Sequence, residues 1–352
     1  MRHHPALLAA TAFLLPAPAL AQSMDTNNAF TGALADRLRD NAFISPSVDA
    51  PAVISGPVGG GTSGGTSFVS PQTGGFRAWG KAFAFQANVG ADATSPAWGT
   101  RGAGVAAGIE KFIMPNWLVG AAVGYTASDT ADTANVALHI NTRTVSGAIY
   151  SSYALNGFEL NGLVGLNGND FSDRRILPVF GAPTVFGGGT HGLGYSAYGD
   201  AGYRFQIPTA VGAGYVKPFA GLNYSALARD AATERSASGL EFSFPSQTFE
   251  RLSSLAGVDF GVTIPGSVVS FRPEFRLAYL HDYINPAPLI HATLVGQPFP
   301  TKDPEPGRDA LIVAAQITAW RVQNVQLFAG YTGEFRSNSE AHQAQAGARV
   351  SW

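Results

Sequence analysis

The stretch VSFRPEFRLAYLHD, residues 269–282, alternates between apolar and polar side chains along its length. The apolar positions of one parity are Val269, Phe271, Phe275, Leu277 and Tyr279. The polar positions of the other parity are Ser270, Arg272, Glu274, Arg276 and Asp282. Successive side chains of a β-strand point to opposite faces, so this pattern predicts a strand with one apolar and one polar face.

The same alternation recurs toward the C-terminus, over residues 325–336 and 343–352. A soluble antiparallel sandwich would alternate as well, so strand length has to separate the two fold classes. Many alternating segments here run for about 12 to 17 residues, whereas soluble strands average about 5–6 and tilted membrane strands need about 9–11. The sequence therefore favours an all-β fold, a closed antiparallel transmembrane β-barrel, over a sandwich.

The predicted strands number twelve, an even number as expected for a closed single-chain barrel. Their predicted bounds are 76–87, 101–114, 116–128, 139–155, 157–171, 191–207, 213–230, 246–264, 268–284, 308–321, 324–337 and 341–352. Tight turns are predicted at 114–116, 155–157, 264–266 and 323–324, and long loops near 88–100, 129–138, 172–190, 231–245 and 285–307. Short turns at one rim and long loops at the other are typical of outer-membrane barrels, which places both barrel ends at the periplasmic rim.

Composition limits the other classes of protein. Only 13% of the 352 residues are charged, against roughly 25% in a soluble globular chain. The chain has no cysteine, which excludes disulfides, thiolate nucleophiles and cysteine-based metal sites. After residue 21 no run of 18 apolar residues occurs, which argues against a helical membrane protein. The formal net charge of −2, without a basic cluster, gives no indication of nucleic-acid binding.

Three segments precede the predicted barrel at 76–352. Residues 1–21 read as a secretory signal peptide, with cleavage expected between Ala21 and Gln22. Residues 22–44 are predicted to hold an amphipathic helix over 25–44, since Phe30, Leu34, Leu38 and Ala42 recur every four residues. Residues 45–75 are rich in Pro, Gly and Ser and read as a flexible linker.

Charged residues on the polar parity of the strands are the candidates for lining the barrel interior. The basic candidates are Arg77, Lys81, Arg204, Lys217, Arg251, Arg272, Arg276, Arg336 and Arg349. The acidic candidates are Glu110, Glu159, Asp200, Asp259, Glu274, Asp282 and Glu334. A strongly ion-selective pore would show one dominant sign. The mixture of signs indicates charges that pair with one another around an occluded or narrow lumen, with a hydrated wall of no specific task as the alternative.

No catalytic, cofactor or metal site is predicted. The mature histidines lie at or near the predicted loop rims, and no pair of them has metal-ligand spacing. The nearest candidate for a catalytic pair is His281 with Asp282, at the outer end of a strand. Such a pair at a rim is more often a hydrated surface feature, so we expect a protein that is not an enzyme.

The order of signal, amphipathic helix and barrel resembles the translocator domain of autotransporters. The residues that carry the resemblance are RAWGKAFAF at 77–85, NWLVGAAVGYTAS at 116–128 and FAGYTGEFRSNSEAHQAQAGARVSW at 328–352. The resemblance implies a twelve-stranded barrel threaded by a helix, which delivers or displays an N-terminal passenger at the surface of a Gram-negative bacterium. It also implies barrel-assembly machinery and periplasmic chaperones as partners, with the terminal Trp352 as the assembly signal.

The N-terminal segment departs from that family in its length. Asn27-Asn28 matches the positions where some of these proteins cut themselves, but only residues 22–26 would precede the pair. The passenger is therefore expected to be very short or vestigial. The alternatives are a small-solute channel, with the helix outside the lumen, and an adhesin acting through its long loops. A monomer in outer-membrane lipid is expected, because a closed barrel leaves no strand edge to pair.

Overall fold

The computed structural model describes residues 29–38 and 75–352, except for 94, 133–137, 180–181, 285–289 and 323. The predicted signal peptide, the linker up to residue 74 and the Asn27-Asn28 pair lie outside these residues and stay predictions. Residues 29–38 form a helix, which agrees with part of the predicted span 25–44. Within the described residues, no helix is both long and apolar enough to cross a membrane.

Seventeen strands make up the remainder of the described secondary structure. Their bounds are β1 Phe76–Val89, β2 Trp98–Met114, β3 Trp117–Asp132, β4 Leu138–Leu155, β5 Phe158–Val179, β6 Ala182–Tyr203, β7 Phe205–Thr209, β8 Gly212–Arg229, β9 Ala232–Ser236, β10 Glu241–Phe244, β11 Gln247–Thr263, β12 Ser270–Asp282, β13 Ile290–Leu294, β14 Gln297–Thr301, β15 Asp309–Val322, β16 Val325–Arg336 and β17 Ser339–Ser351.

Twelve of these strands form the barrel wall, in the order β1, β2, β3, β4, β5, β6, β8, β11, β12, β15, β16 and β17. Each pairs antiparallel with the next, and β7 extends the β6–β8 hairpin. The wall closes between β1 and β17 in a register from Arg77↔Ser351 to Val89↔Ser339. The prediction of a twelve-stranded closed barrel is confirmed.

The wall has an apolar outside and a polar inside, as the alternation predicted. On β12 the exposed side chains are Phe271, Phe275, Leu277 and Tyr279, whereas Arg272, Arg276 and Asp282 are buried. Short turns join the strands at the rim that also holds both barrel ends, where the backbones of Phe76 and Trp352 bond to each other. The Asn156-Gly157 turn has φ values of +52° and +85°, the left-handed geometry that an Asn-Gly hairpin favours.

The predicted loops at the opposite, outer rim were wrong in extent. Residues 172–190, expected as a loop, continue β5 and β6 in register as far as Val179↔Ala182. The predicted loops 231–245 and 285–307 contain the hairpins β9–β10 and β13–β14. Glycines and adjacent charges in 172–190 weaken strand propensity, but pairing and packing override propensity at these positions.

The four short strands of the outer rim, β9, β10, β13 and β14, form what we call the mouth sheet. β9 pairs with the upper end of β6, β10 with β9, β13 with β10, and β14 with β13. The mouth sheet therefore begins at the wall and continues away from it, with an apolar core of its own that is separate from the core around the helix.

Candidate functional site

The helix of residues 29–38 packs against the inward-facing side chains of the wall. Phe30, Ala33, Leu34 and Leu38 are buried on it, as the four-residue spacing predicted. They share one core with wall residues Trp79, Phe83, Phe112, Leu118, Tyr150, Leu163 and Tyr198. Burying three large apolar side chains contributes about 1.5–3 kcal/mol each. Apolar contact is therefore the main stabilisation of the helix against the wall.

Glu110 on β2 holds the helix by charge. The Arg37 guanidinium of the helix bonds to Glu110 Oε1, and both side chains are buried. The Tyr150 hydroxyl donates to Glu110 Oε2 at 3.0 Å and accepts from Trp79 Nε1 at 2.7 Å. Arg77 Nη1 lies 3.9 Å from Glu110 Oε1. One carboxylate thus bonds to the helix and to the wall.

Two further polar contacts hold the helix, from the next two strands beyond β2 in the wall. Lys81 Nζ donates to the backbone carbonyl of Ala33 and to Gln345 Oε1, the latter at 3.0 Å. Gln345 Nε2 donates to Asp36 Oδ2 at 3.1 Å. These contacts come from β1 and β17, the strands that close the barrel.

The contacts also give the helix a direction. Arg37, near its C-terminal end, meets Glu110, which is four residues from the short-turn end of β2. Phe30, near its N-terminal end, lies over Gly124 in the middle of β3, where an added Cβ would be 2.5 Å from the ring. The helix therefore runs from mid-barrel toward the short-turn rim, and its N-terminal end faces the rim of long loops.

The remaining wall candidates lie in two main groups of ion pairs. In the first, Arg276 bonds Asp259 at 2.6 and 2.8 Å, and Lys217 bridges Asp259 at 3.3 Å and Glu159 at 2.9 Å. Arg204 adds a contact to Glu159 at 2.6 Å. The buried Asp200 accepts from Tyr198 at 2.6 Å and from Asn161 at 3.0 Å.

The second group lies nearer the outer rim. Asp282 accepts from Arg251 at 3.0 Å and from Arg336 at 2.7 Å, while Arg336 also meets Glu334 at 2.5 Å. Of the last three wall candidates, Arg272 contacts Glu274 at 3.4 Å, and Glu274 borders the first group, since it accepts from Tyr215 at 3.1 Å. Arg349 donates to Gln326 at 2.8 Å. Every candidate is buried or half-buried. Mixed signs on this wall produce local neutralisation rather than one dominant charge.

Sequence reasoning missed several members of this site. Tyr150 and Tyr198 were passed over because they are aromatic, although their inward parity was readable. Gln345 was given no role, although it bonds to both Asp36 and Lys81. The pair His281–Asp282 does not form: the two side chains point to opposite faces, and His281 Nδ1 instead lies 2.7 Å from Asp309 Oδ1 on β15. Among the described residues no cluster of three His, Asp or Glu could hold a metal.

Comparison with known proteins gives one family and several solved structures. A family model described as the autotransporter beta-domain matches residues 78–332. The translocator domain of the autotransporter NalP from Neisseria meningitidis superposes with a TM-score of 0.66 at 16% identity, covering 94% of this chain and 98% of that one. No curated protein sequence matches the chain.

Two more solved structures share the fold. The beta domain of the Bordetella autotransporter BrkA gives a TM-score of 0.56 at 17% identity, over 80% of this chain and 100% of the other. The transport unit of the autotransporter AIDA-I from Escherichia coli gives 0.56 at 14% identity, over 78% and 90% of the two chains. At these identities the likeness concerns the fold.

Proposed function

This chain belongs to the autotransporter beta-domain family, and on that premise we propose that its barrel docks residues 29–38 in the lumen and presents the segment before them toward the cell exterior. The family makes the protein an outer-membrane β-barrel translocator. The proposal adds where the N-terminal segment lies, which way it points and what holds it.

The contact between Arg37 and Glu110 is the observation that carries this proposal. A buried arginine and a buried carboxylate both lose their hydration, so the pair is stable only while both partners are present. Arg37 lies near the end of the helix that faces the short-turn rim. Residue 29, the first described residue of the helix, therefore lies at the end that faces the outer side, which supports outward presentation of the segment before it.

The same contacts argue against an open channel for small solutes. Helix residues Phe30, Leu34 and Leu38 are almost fully buried among wall side chains. A channel would need these residues outside the lumen. The proposal includes no catalytic step, since the inward carboxylates neutralise neighbouring cations, and the exposed histidine–aspartate contacts, His281 with Asp309 and His191 with Asp170, face outward.

The outside of the barrel supports the expected partners. Exposed apolar side chains such as Val123, Val145 and Leu166 form a surface for outer-membrane lipid. The closed wall leaves no free strand edge, which supports a monomer. Barrel-assembly machinery and periplasmic chaperones are proposed as partners because the chain belongs to this family, and Trp352 is proposed as the residue that the machinery reads.

Thiol cross-linking tests the docked helix and its direction. The natural chain has no cysteine, so introduced pairs are unambiguous. We expect Asp36→Cys with Gln345→Cys to be joined in intact cells by a short bis-maleimide, which spans the gap left when the two side chains that bond at 3.1 Å are shortened. The matched control pairs Gln345→Cys with Ala29→Cys, two helical turns away. Failure of the first pair, or equal yields from both, would refute the docked orientation.

Delivery is tested with an epitope placed between Gln22 and Ser23. We expect antibody to bind this epitope on intact cells, and binding to be lost when residues 29–38 are deleted while the barrel still reaches the outer membrane. An epitope that is reached only after the outer membrane is permeabilised would contradict delivery to the surface.

A further inference from the structure

The mouth sheet has one buried and one solvent-facing surface. Its inward positions are Ala232 and Glu234 on β9, Phe242 and Phe244 on β10, and Ile290 and Ala292 on β13, all buried. On the other parity, Thr233, Arg235, Glu241 and His291 are exposed, and Ser243 is half-buried. This alternation is that of a small sheet covering something below it.

What lies below the sheet is the outer end of the wall. The apolar core under it includes Phe171, Leu177 and Val179 of β5, Phe186 of β6, Leu227 of β8 and Phe249 of β11. These four strands are consecutive in the wall, from the fifth to the eighth. The sheet is therefore seated on one side of the mouth.

The loop after the mouth sheet reaches the other side. The Ser95 hydroxyl donates to the Lys302 carbonyl at 2.5 Å, and the Glu305 amide donates to Asp92 Oδ2 at 3.2 Å. Asn338 Nδ2 donates to the Glu305 carbonyl at 3.0 Å. Residues 92 and 95 lie between β1 and β2, and residue 338 lies between β16 and β17, on the side of the wall opposite β6 and β8.

From this span we propose that the mouth sheet and the loop 302–308 form a lid that closes the outer mouth, and that it must swing open for a polypeptide to pass. The lid is defined by contacts within residues 75–352, so it stands even if the helix proposal fails. A short N-terminal segment is compatible with a closed lid, whereas a longer segment emerging through the mouth would hold it open.

A buried ion pair joins the lid to the wall. Arg175 of β5 donates to Glu234 of β9 through Nε at 3.0 Å and Nη2 at 3.2 Å, and both side chains are 0% exposed. The Arg175 guanidinium also lies 4.9 Å from the centre of the Phe242 ring. Such a pair opposes opening only while both charges are present, because a single partner left buried is unfavourable.

Thiol accessibility of the full-length protein in outer-membrane vesicles tests the lid. Ala292→Cys places a thiol on the buried face of β13, and His291→Cys places the matched control on its exposed face. With a membrane-impermeant maleimide, we expect the thiol at 292 to react at least about 100-fold more slowly than the control, because it reacts only when the lid opens. Equal rates would overturn the proposal.

Two additions separate lid opening from general disruption. Arg175→Met should accelerate labelling at 292 by at least about tenfold, and Glu234→Met added to it should restore slow labelling, because the apolar pair no longer leaves Glu234 buried without Arg175. Fusing a 30-residue hydrophilic segment after Gln22 should also accelerate labelling at 292. An Arg175→Met protein that labels like the parent would overturn the ion pair's role. In the protein without introduced cysteines, Arg175→Met should also accelerate amide hydrogen exchange over 232–244. This control checks that the thiol at 292 has not itself opened the lid.

Discussion

The Glu110→Gln substitution tests how the helix of residues 29–38 is held. It keeps the shape of the side chain and an acceptor for Tyr150, but it leaves Arg37 and Arg77 buried without their counter-charge. Breaking a buried ion pair by removing one partner costs about 3–5 kcal/mol. Because the amide oxygen can still accept a bond, we expect a smaller cost than this range, about 2–3 kcal/mol.

That free energy acts on docking of the helix rather than on the barrel wall. Phe30, Leu34 and Leu38 still bury apolar area worth about 1.5–3 kcal/mol each, so the helix stays docked on average and undocks more often. With about 1.4 kcal/mol per tenfold change, undocking should rise about 30- to 150-fold.

The assay is thiol labelling at Thr31→Cys, a buried helix position where the new side chain has a similar size. Labelling should accelerate by the factor above in Glu110→Gln. The matched control is Glu250→Gln, an exposed carboxylate that accepts from Tyr224 at 2.7 Å on the outer face, which should leave the rate unchanged. A change below about threefold in Glu110→Gln would refute the assignment of Glu110 as the charge that holds the helix.

Three further predictions concern the wall, the C-terminus and the lid. Gly108→Ala should destabilise the barrel by about 1–3 kcal/mol, because its Cβ would meet the Trp79 ring at 2.6 Å; the urea midpoint of unfolding measures this, with the open position Gly147→Ala as control. Trp352→Ala should lower insertion into the outer membrane in cells yet leave refolding in detergent intact, because the Trp352 side chain is exposed and the backbone bonds of Trp352 to Phe76 survive the substitution; equal losses in both would contradict a recognition role. Asp173 lies in the part of β5 beyond the apolar belt, and burial, with a further contribution from the Glu234 charge, raises its pKa to about 7. Arg175 and Arg229 oppose this rise, and Asp303 interacts with Arg229. The pKa of Asp173 in the closed lid is higher than its ordinary value of 3.8, so closure is favoured below that value and weakens as the pH rises toward 7. Labelling at Ala292→Cys, corrected for thiol ionisation with His291→Cys, should therefore be faster at pH 8 than at pH 5. Asp173→Asn should remove the difference.

Much of the barrel could be read from the chain alone. A period of two with one apolar and one polar face depends only on the sequence, so strands such as β12 and β17 were predicted within two or three residues of their ends. The number of wall strands followed from the same pattern and from turns such as Asn156-Gly157, whose geometry is set locally. The inward parity of Glu110, Asp259 and Arg276 was readable for the same reason.

Other features depend on contacts between residues far apart in the chain. Which cation meets which carboxylate depends on strand register, on barrel closure and on where the helix docks. Arg37 and Glu110, for example, are 73 residues apart in the chain. The mouth sheet was predicted as loops because β9, β10, β13 and β14 have only four or five residues each. Strands this short are not stable alone and form where β6 supplies an edge and Phe171, Leu227 and Phe249 supply an apolar surface. Sequence alone therefore determined the alternation that makes a barrel, whereas only the tertiary structure decided the docked helix, the ion pairs and the lid, because each of these depends on surfaces that the closed wall brings together.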